Sequence, residues 1–134
     1  MAGDAGDGGA PRFVHLLGKE ARRGILLVLL ESRSYRMLAA ELGVTPAAVA
    51  KYVRGETHPS DRVLAKALKT AEPDELDDIA DIIVRDLVSG LEDLVEWVIE
   101  NELDSSTLES ELQRLLSRLK IAGVQRGRRG LRIV

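Results

Sequence analysis

Between Ser34 and Gly55 the apolar residues Leu38, Leu42, Val44, Val49 and Tyr52 fall where two short helices joined by a tight turn bury side chains against each other. Gly43 stands at the turn, where a left-handed backbone suits a residue without a Cβ. Ala39 is small where the two helices come closest. Thr45 is placed to cap the second helix, and Pro46 takes its first position, where a missing N–H costs nothing. From there Val49, Tyr52 and Val53 share one face, and Ala47, Ala50, Lys51 and Arg54 share the other.

The flanking pattern is helical as well. Pro11 to Ser32 reads as one helix or two, with Gly18 a possible break, and its apolar clusters are Phe13, Leu16 and Leu17, then Ile25, Leu26, Leu29 and Leu30. Arg22 and Arg23 lie off that stripe, on a solvated surface or against a DNA backbone. After a loop stiffened by Pro59, Ser60 caps a helix carrying Val63, Leu64, Ala67 and Leu68. From Asp74 to Leu103 the residues Leu76, Ile79, Ile83, Leu87, Leu91, Leu94, Val98 and Ile99 recur at helical spacing, a stripe wide enough to be buried. Ser89-Gly90 leaves one long helix or two. Ser106 with Glu109 has capping-box spacing, Leu108, Leu112, Leu115, Leu116 and Leu119 give the next helix its stripe, and Gly123 is placed to end it.

These positions, with Tyr52, Arg54-Gly55, Pro59-Ser60 and Leu64-Ala65-Lys66-Ala67-Leu68 following at matching spacing, resemble the lambda-repressor-like family, also called the Cro/C1 or Xre type, over roughly residues 24–71. The resemblance implies an all-α fold, a helix-turn-helix bundle whose second helix enters the major groove, and a two-fold dimer reading half-sites about 34 Å apart. It implies DNA contacts at Tyr35, Arg36, Thr45, Ala47, Ala50, Lys51, Arg54, Thr57 and His58. The chain departs from the family twice. Tyr35 stands where the family often has a backbone-contacting glutamine, and the recognition helix is alanine-rich, with Glu56 adding negative charge nearby. Specificity is therefore expected to lean on phosphate contacts, DNA shape and a second protomer.

Composition sharpens this outline. The 134 residues contain no cysteine, which removes disulfides and thiolate zinc sites and suits a cytoplasmic protein. Few amide side chains and many Arg and Glu resemble thermophile usage. No stretch reads as an export signal or membrane span; the most apolar run, residues 25–30, is too short and is flanked by charge. The net charge of −3 conceals a pattern: residues 1–70 carry 11 basic and 7 acidic groups, 71–112 carry 1 and 15, and 113–134 carry 7 and 0. The chain thus divides into a flexible Gly- and Asp-rich arm over 1–10, a helix-turn-helix domain over 11–71, an acidic helical region over 72–122 and a basic tail over 123–134.

Candidate chemistry is sparse. Asp77, Asp78, Asp81 and Asp86 lie opposite the apolar stripe and are expected to face water, where nothing tunes them for acid–base work. His58 has only His15 as a second histidine, so no metal, cofactor or catalytic residue is assigned and no small-molecule substrate is inferred. Lys51 and Arg54 can donate to guanine edges or to phosphates, the start of their helix can meet a phosphate, and Ala47 and Ala50 can touch thymine methyls. The acidic block repels DNA and so points away from it. Its stripe means closure onto the first domain or a homodimer, for which Leu87, Leu91, Leu94, Trp97, Val98, Leu112, Leu115 and Leu119 are the candidate contacts. The tail arginines Arg126, Arg128, Arg129 and Arg132 form a DNA-backbone arm, a strap over the acidic helices, or a solubilising end. The reading is a transcriptional regulator that binds double-stranded DNA, not an enzyme and not a membrane protein. The alternative is an adaptor module that uses the same fold to pack on a protein partner.

Overall fold

The structure, a computed structural model, describes residues 9–133, with side chains through Val124. Among the described residues seven helices follow in order: α1 Arg12–His15, α2 Lys19–Leu30, α3 Tyr35–Leu42, α4 Pro46–Arg54, α5 Asp61–Thr70, α6 Pro73–Glu100 and α7 Ser106–Ile133. Among the described residues there is no strand, so the fold is all-α. Two compact units divide the chain after Glu92, inside α6.

The first unit has one core. Val14, Ile25, Leu29, Leu38, Val49, Leu64 and Ala67 are sealed from solvent, with at most 1% exposure for Leu26, Ala39, Leu42 and Ile79. Gly18 does break the first segment: its extended backbone N-caps α2, and its amide donates to Asp86 Oδ2 at 3.0 Å. That contact overturns the expectation that Asp86 faces water; it neutralises a free donor at the start of α2. The first apolar cluster is also shifted by the break. Val14 and Leu17 point inward, while Phe13 and Leu16 are 36% and 68% exposed.

The boundary expected after Ala71 is displaced, because the start of α6 belongs to this unit. Ile79 and Ile83 enter the core, and Leu87 packs half-buried at its edge. Each fully buried isoleucine contributes roughly 1.5–3 kcal/mol of transfer free energy. Leu87, expected at a dimer contact, instead packs on the edge of this core. At the N-terminus of α6, Glu75 is 8% exposed and ties that helix to the α2–α3 loop. It accepts from the Glu72 amide at 2.9 Å, from Ser32 Oγ at 2.8 Å and from Arg33 Nη1 at 2.8 Å. Arg33 also donates to Glu41 at 2.7 Å and to the carbonyls of Leu29 and Thr70 at 3.1 and 3.3 Å. The Arg33 guanidinium, with the Glu72 amide and the Ser32 hydroxyl, holds the Glu75 carboxyl down to about 2.

The second unit, from Asp93 on, is built differently: among residues 93–124 none is buried. Ser89-Gly90 does not interrupt α6, which runs unbroken through 28 residues, and Gly90 lies in open space. The α6–α7 turn is closed by Glu102, a non-glycine residue at φ 53°, with Leu103 N–H bonded to Val98 O at 3.0 Å and Glu102 N–H to Ile99 O at 3.1 Å. The cap of α7 lies one residue before the expected Ser106. Ser105 is the cap, its hydroxyl bonded to Glu109, and Asp104 Oδ1 accepts from the Ser106 amide at 3.0 Å. Gly123 does not end α7, whose backbone stays helical to Ile133. Arginine, glutamine, leucine and isoleucine carry the helix past three glycines that cost about 1 kcal/mol each. Of the expected arm, residues 1–8 lie outside the described residues, as do the side chains of Arg126, Arg128, Arg129 and Arg132.

Candidate nucleic-acid interface

Three residues, Gly43 to Thr45, turn the chain from α3 into α4. Ser34 caps α3 by accepting from the Met37 amide at 3.0 Å, and Thr45 caps α4 by accepting from the Ala48 amide at 3.0 Å. Gly43 has φ +72° and closes α3, with Val44 N–H reaching back to Ala39 O at 3.0 Å. The two helices pack through Leu38, Ala39 and Leu42 on one side and Val49 and Tyr52 on the other. This pairing fixes which face of α4 looks outward.

On that outward face Ala47, Lys51 and Arg54, one turn apart, are exposed. Ala50 is half-buried beside them, so it offers less surface than the helical pattern implied. Tyr35 at the start of α3 is 43% exposed, Arg36 is exposed, and Thr57 and His58 are exposed in the loop after α4. Pro59, by contrast, is fully buried and anchors that loop. Thr45, Ala47, Lys51 and Arg54 thus lie on or beside one surface. The first turn of α4 also presents a free donor: Pro46 has no N–H and the Ala48 amide is capped, which leaves the Ala47 amide without a partner among the described residues.

Arg54 is not idle. Its Nε donates to Glu56 Oε2 at 2.6 Å and its Nη2 to Oε1 at 3.2 Å, across a pair whose side chains are about half exposed. Glu56 raises the Arg54 pKa, and Arg54 lowers that of Glu56. At the surface such a pair is screened and adds little to stability. It still leaves Nη1 of Arg54 without a partner among the described residues, and the Lys51 ammonium makes no hydrogen bond or ion pair there, although its charge also helps to lower the Glu56 pKa.

Two arginines behind this surface have other work. Arg22 is 12% exposed and donates to the carbonyls of Leu17, Pro59 and Val14 at 2.9, 2.9 and 3.0 Å, while pairing with Asp61 at 2.8 Å. Arg23 donates to Val53 O at 2.6 Å, near the C-terminus of α4. Neither the solvated surface nor the DNA backbone expected for this pair describes Arg22, which ties α1, α2 and the buried loop together. Asp61, bonded to His15 and Arg22, has its pKa lowered by both. Long-range acceptors of this kind leave no periodic trace in a sequence. Among the described residues no group of three or more histidines and carboxylates is placed to hold a metal ion, and no helix is long and apolar enough to cross a membrane.

A family model described as Helix-turn-helix matches residues 29–70, about a third of the chain. No curated protein and no solved structure gives a significant match.

Proposed function

We propose that this chain, whose residues 29–70 form a helix-turn-helix of the Cro/C1, lambda-repressor-like type, is a transcriptional regulator that reads double-stranded DNA with α4 as a homodimer. The observation that carries the reading is the outward row Ala47, Lys51 and Arg54, exposed on a helix whose other face is locked into the core. In the major groove Lys51 donates to a guanine edge or a phosphate. The Ala47 amide and the Thr45 cap meet a phosphate at the positive end of α4. Tyr35, Arg36, Thr57 and His58 flank that row at the level of the sugar-phosphate backbone, and Arg54 adds a further cation.

Only one or two side chains on α4 can discriminate bases, because alanine cannot hydrogen-bond an edge. Two copies on a two-fold site double that information and the phosphate contacts with it. The exposed apolar residues of the second unit support self-association, since a helical unit whose apolar side chains are at best half-buried gains little hydrophobic stabilisation alone. Selection of bound duplexes from a random pool tests the reading. It should enrich a two-fold symmetric site with half-sites about one helical turn apart. A pool that stays unenriched would remove DNA reading and leave the adaptor alternative, with α4 packed on a protein partner.

A further inference from the structure

We infer that α7 pairs with α7 of a second copy, antiparallel, along a leucine seam centred between Leu112 and Leu115. The inference rests on the homodimer reading above and specifies its interface.

Leu108, Leu112, Leu115, Leu119 and Ala122 follow one another at intervals of four, three, four and three residues. That is the spacing of a two-helix seam, in which a and d residues insert between those of a facing helix. The seam is open in the single chain, where Leu112, Leu115 and Leu119 are 36%, 49% and 65% exposed. Ten large apolar side chains between Leu94 and Val124 are exposed by a third or more. At roughly 150–200 Å² each when fully exposed, they sum to on the order of 800 Å² over both helices of the unit, of which the three open seam leucines supply about 250 Å² per copy. A solitary protein rarely leaves so much apolar surface in water.

Charge decides both the occupant and its direction. In the described part of α7, Glu109 and Glu111 lie in the first two turns, and every charge after them is basic: Arg114, Arg118 and Lys120. A parallel pair would set these cations beside their own copies, and Glu109 and Glu111 beside theirs. An antiparallel pair sets Leu108 level with Leu119 of the second copy and Leu112 level with Leu115. It also brings Glu111 within reach of Arg118 across the seam. The sequence continues the same polarity, with acidic residues before α7 and four further arginines after Lys120. A second copy of this chain therefore supplies both the apolar seam and the opposite charge.

The chain has no natural cysteine, so engineered ones report the geometry directly. Leu108→Cys and Leu119→Cys proteins are prepared separately, checked for helicity by circular dichroism and for self-association by sedimentation under reducing conditions, then oxidised alone and mixed. Residues 108 and 119 lie about 16 Å apart along one helix, well beyond disulfide reach. The antiparallel seam predicts a disulfide-linked dimer from the mixture and at least tenfold less from either protein alone. Self-linking of Leu119→Cys as efficient as the mixture would overturn the direction and keep the dimer. A wild-type chain that sediments as a monomer at tens of micromolar would overturn seam and homodimer together, while binding of the selected duplex still reports on the helix-turn-helix. If either leucine variant loses self-association, Glu111→Cys mixed with Arg118→Cys at the edge of the seam is read by the same criteria.

Discussion

Glu75 connects the long helix to the helix-turn-helix, and its removal has a calculable signature. The Arg33 guanidinium, the Glu72 amide and the Ser32 hydroxyl lower its pKa from 4.5 to about 2. At 1.36 kcal/mol per pKa unit, that preference for the ionised form contributes about 3 kcal/mol of stability at neutral pH. The folded-state pKa lies below the unfolded one, so the contribution is complete above about pH 5 and is lost as pH falls through 4.5 toward 2. In urea unfolding followed by circular dichroism, Glu75→Gln should lower the free energy of unfolding by about 3 kcal/mol at pH 7. The deficit relative to wild type should narrow to about 2 kcal/mol at pH 3.5 and fall below about 1 kcal/mol at pH 2.5. Comparison with the wild type cancels the acid sensitivity that the two proteins share. A deficit under about 1 kcal/mol at pH 7, or one that stays constant with pH, would refute the reasoning.

Other substitutions probe separate joints. Arg22→Ala strands the carbonyls of Leu17, Val14 and Pro59 and the Asp61 carboxylate, and should cost about 2–4 kcal/mol in the same urea assay. Arg22→Lys should recover little of it, since an ammonium cannot replace the planar fork. Gly43→Ala puts a Cβ on a residue at φ +72° and should cost about 1–2 kcal/mol; the nearest obstacle, Lys66 Nζ, can move aside. Glu102→Gly relieves a left-handed non-glycine residue, so the Leu103 amide should exchange its hydrogen about 2–5 times more slowly by NMR.

The helix-turn-helix was legible because the local signals agree: Thr45 and Ser60 cap the helices they precede, and Gly43 takes the left-handed turn. The outward position of Lys51 and Arg54 follows from the same periodicity. The engagement of Arg54 by Glu56 does not, because two exposed charges two residues apart pair through rotamers that no pattern encodes. Arg22 and Arg33 were hidden for a related reason. Their partners lie up to 42 residues away, and nothing in the local pattern links them. The fate of the long stripe was also beyond periodicity. The same spacing that carries Ile79 and Ile83 into the core carries Leu94 and Ile99 into solvent, because burial depends on what lies opposite. The helix through Gly123 reflects the helix-forming residues around each glycine, which outweigh a punctuation signal read alone.

The central claim is that α4 reads DNA through its outward cations. Fluorescence anisotropy of a labelled duplex carrying the selected site, titrated with wild type, Lys51→Ala and Arg54→Ala at fixed salt, tests it most directly. Loss of a base contact at Lys51 should weaken binding by about 1–3 kcal/mol, roughly 5- to 150-fold, and either loss of a phosphate contact should reduce the salt slope by about 1. Circular dichroism should stay unchanged. Identical titration curves for all three proteins would contradict it.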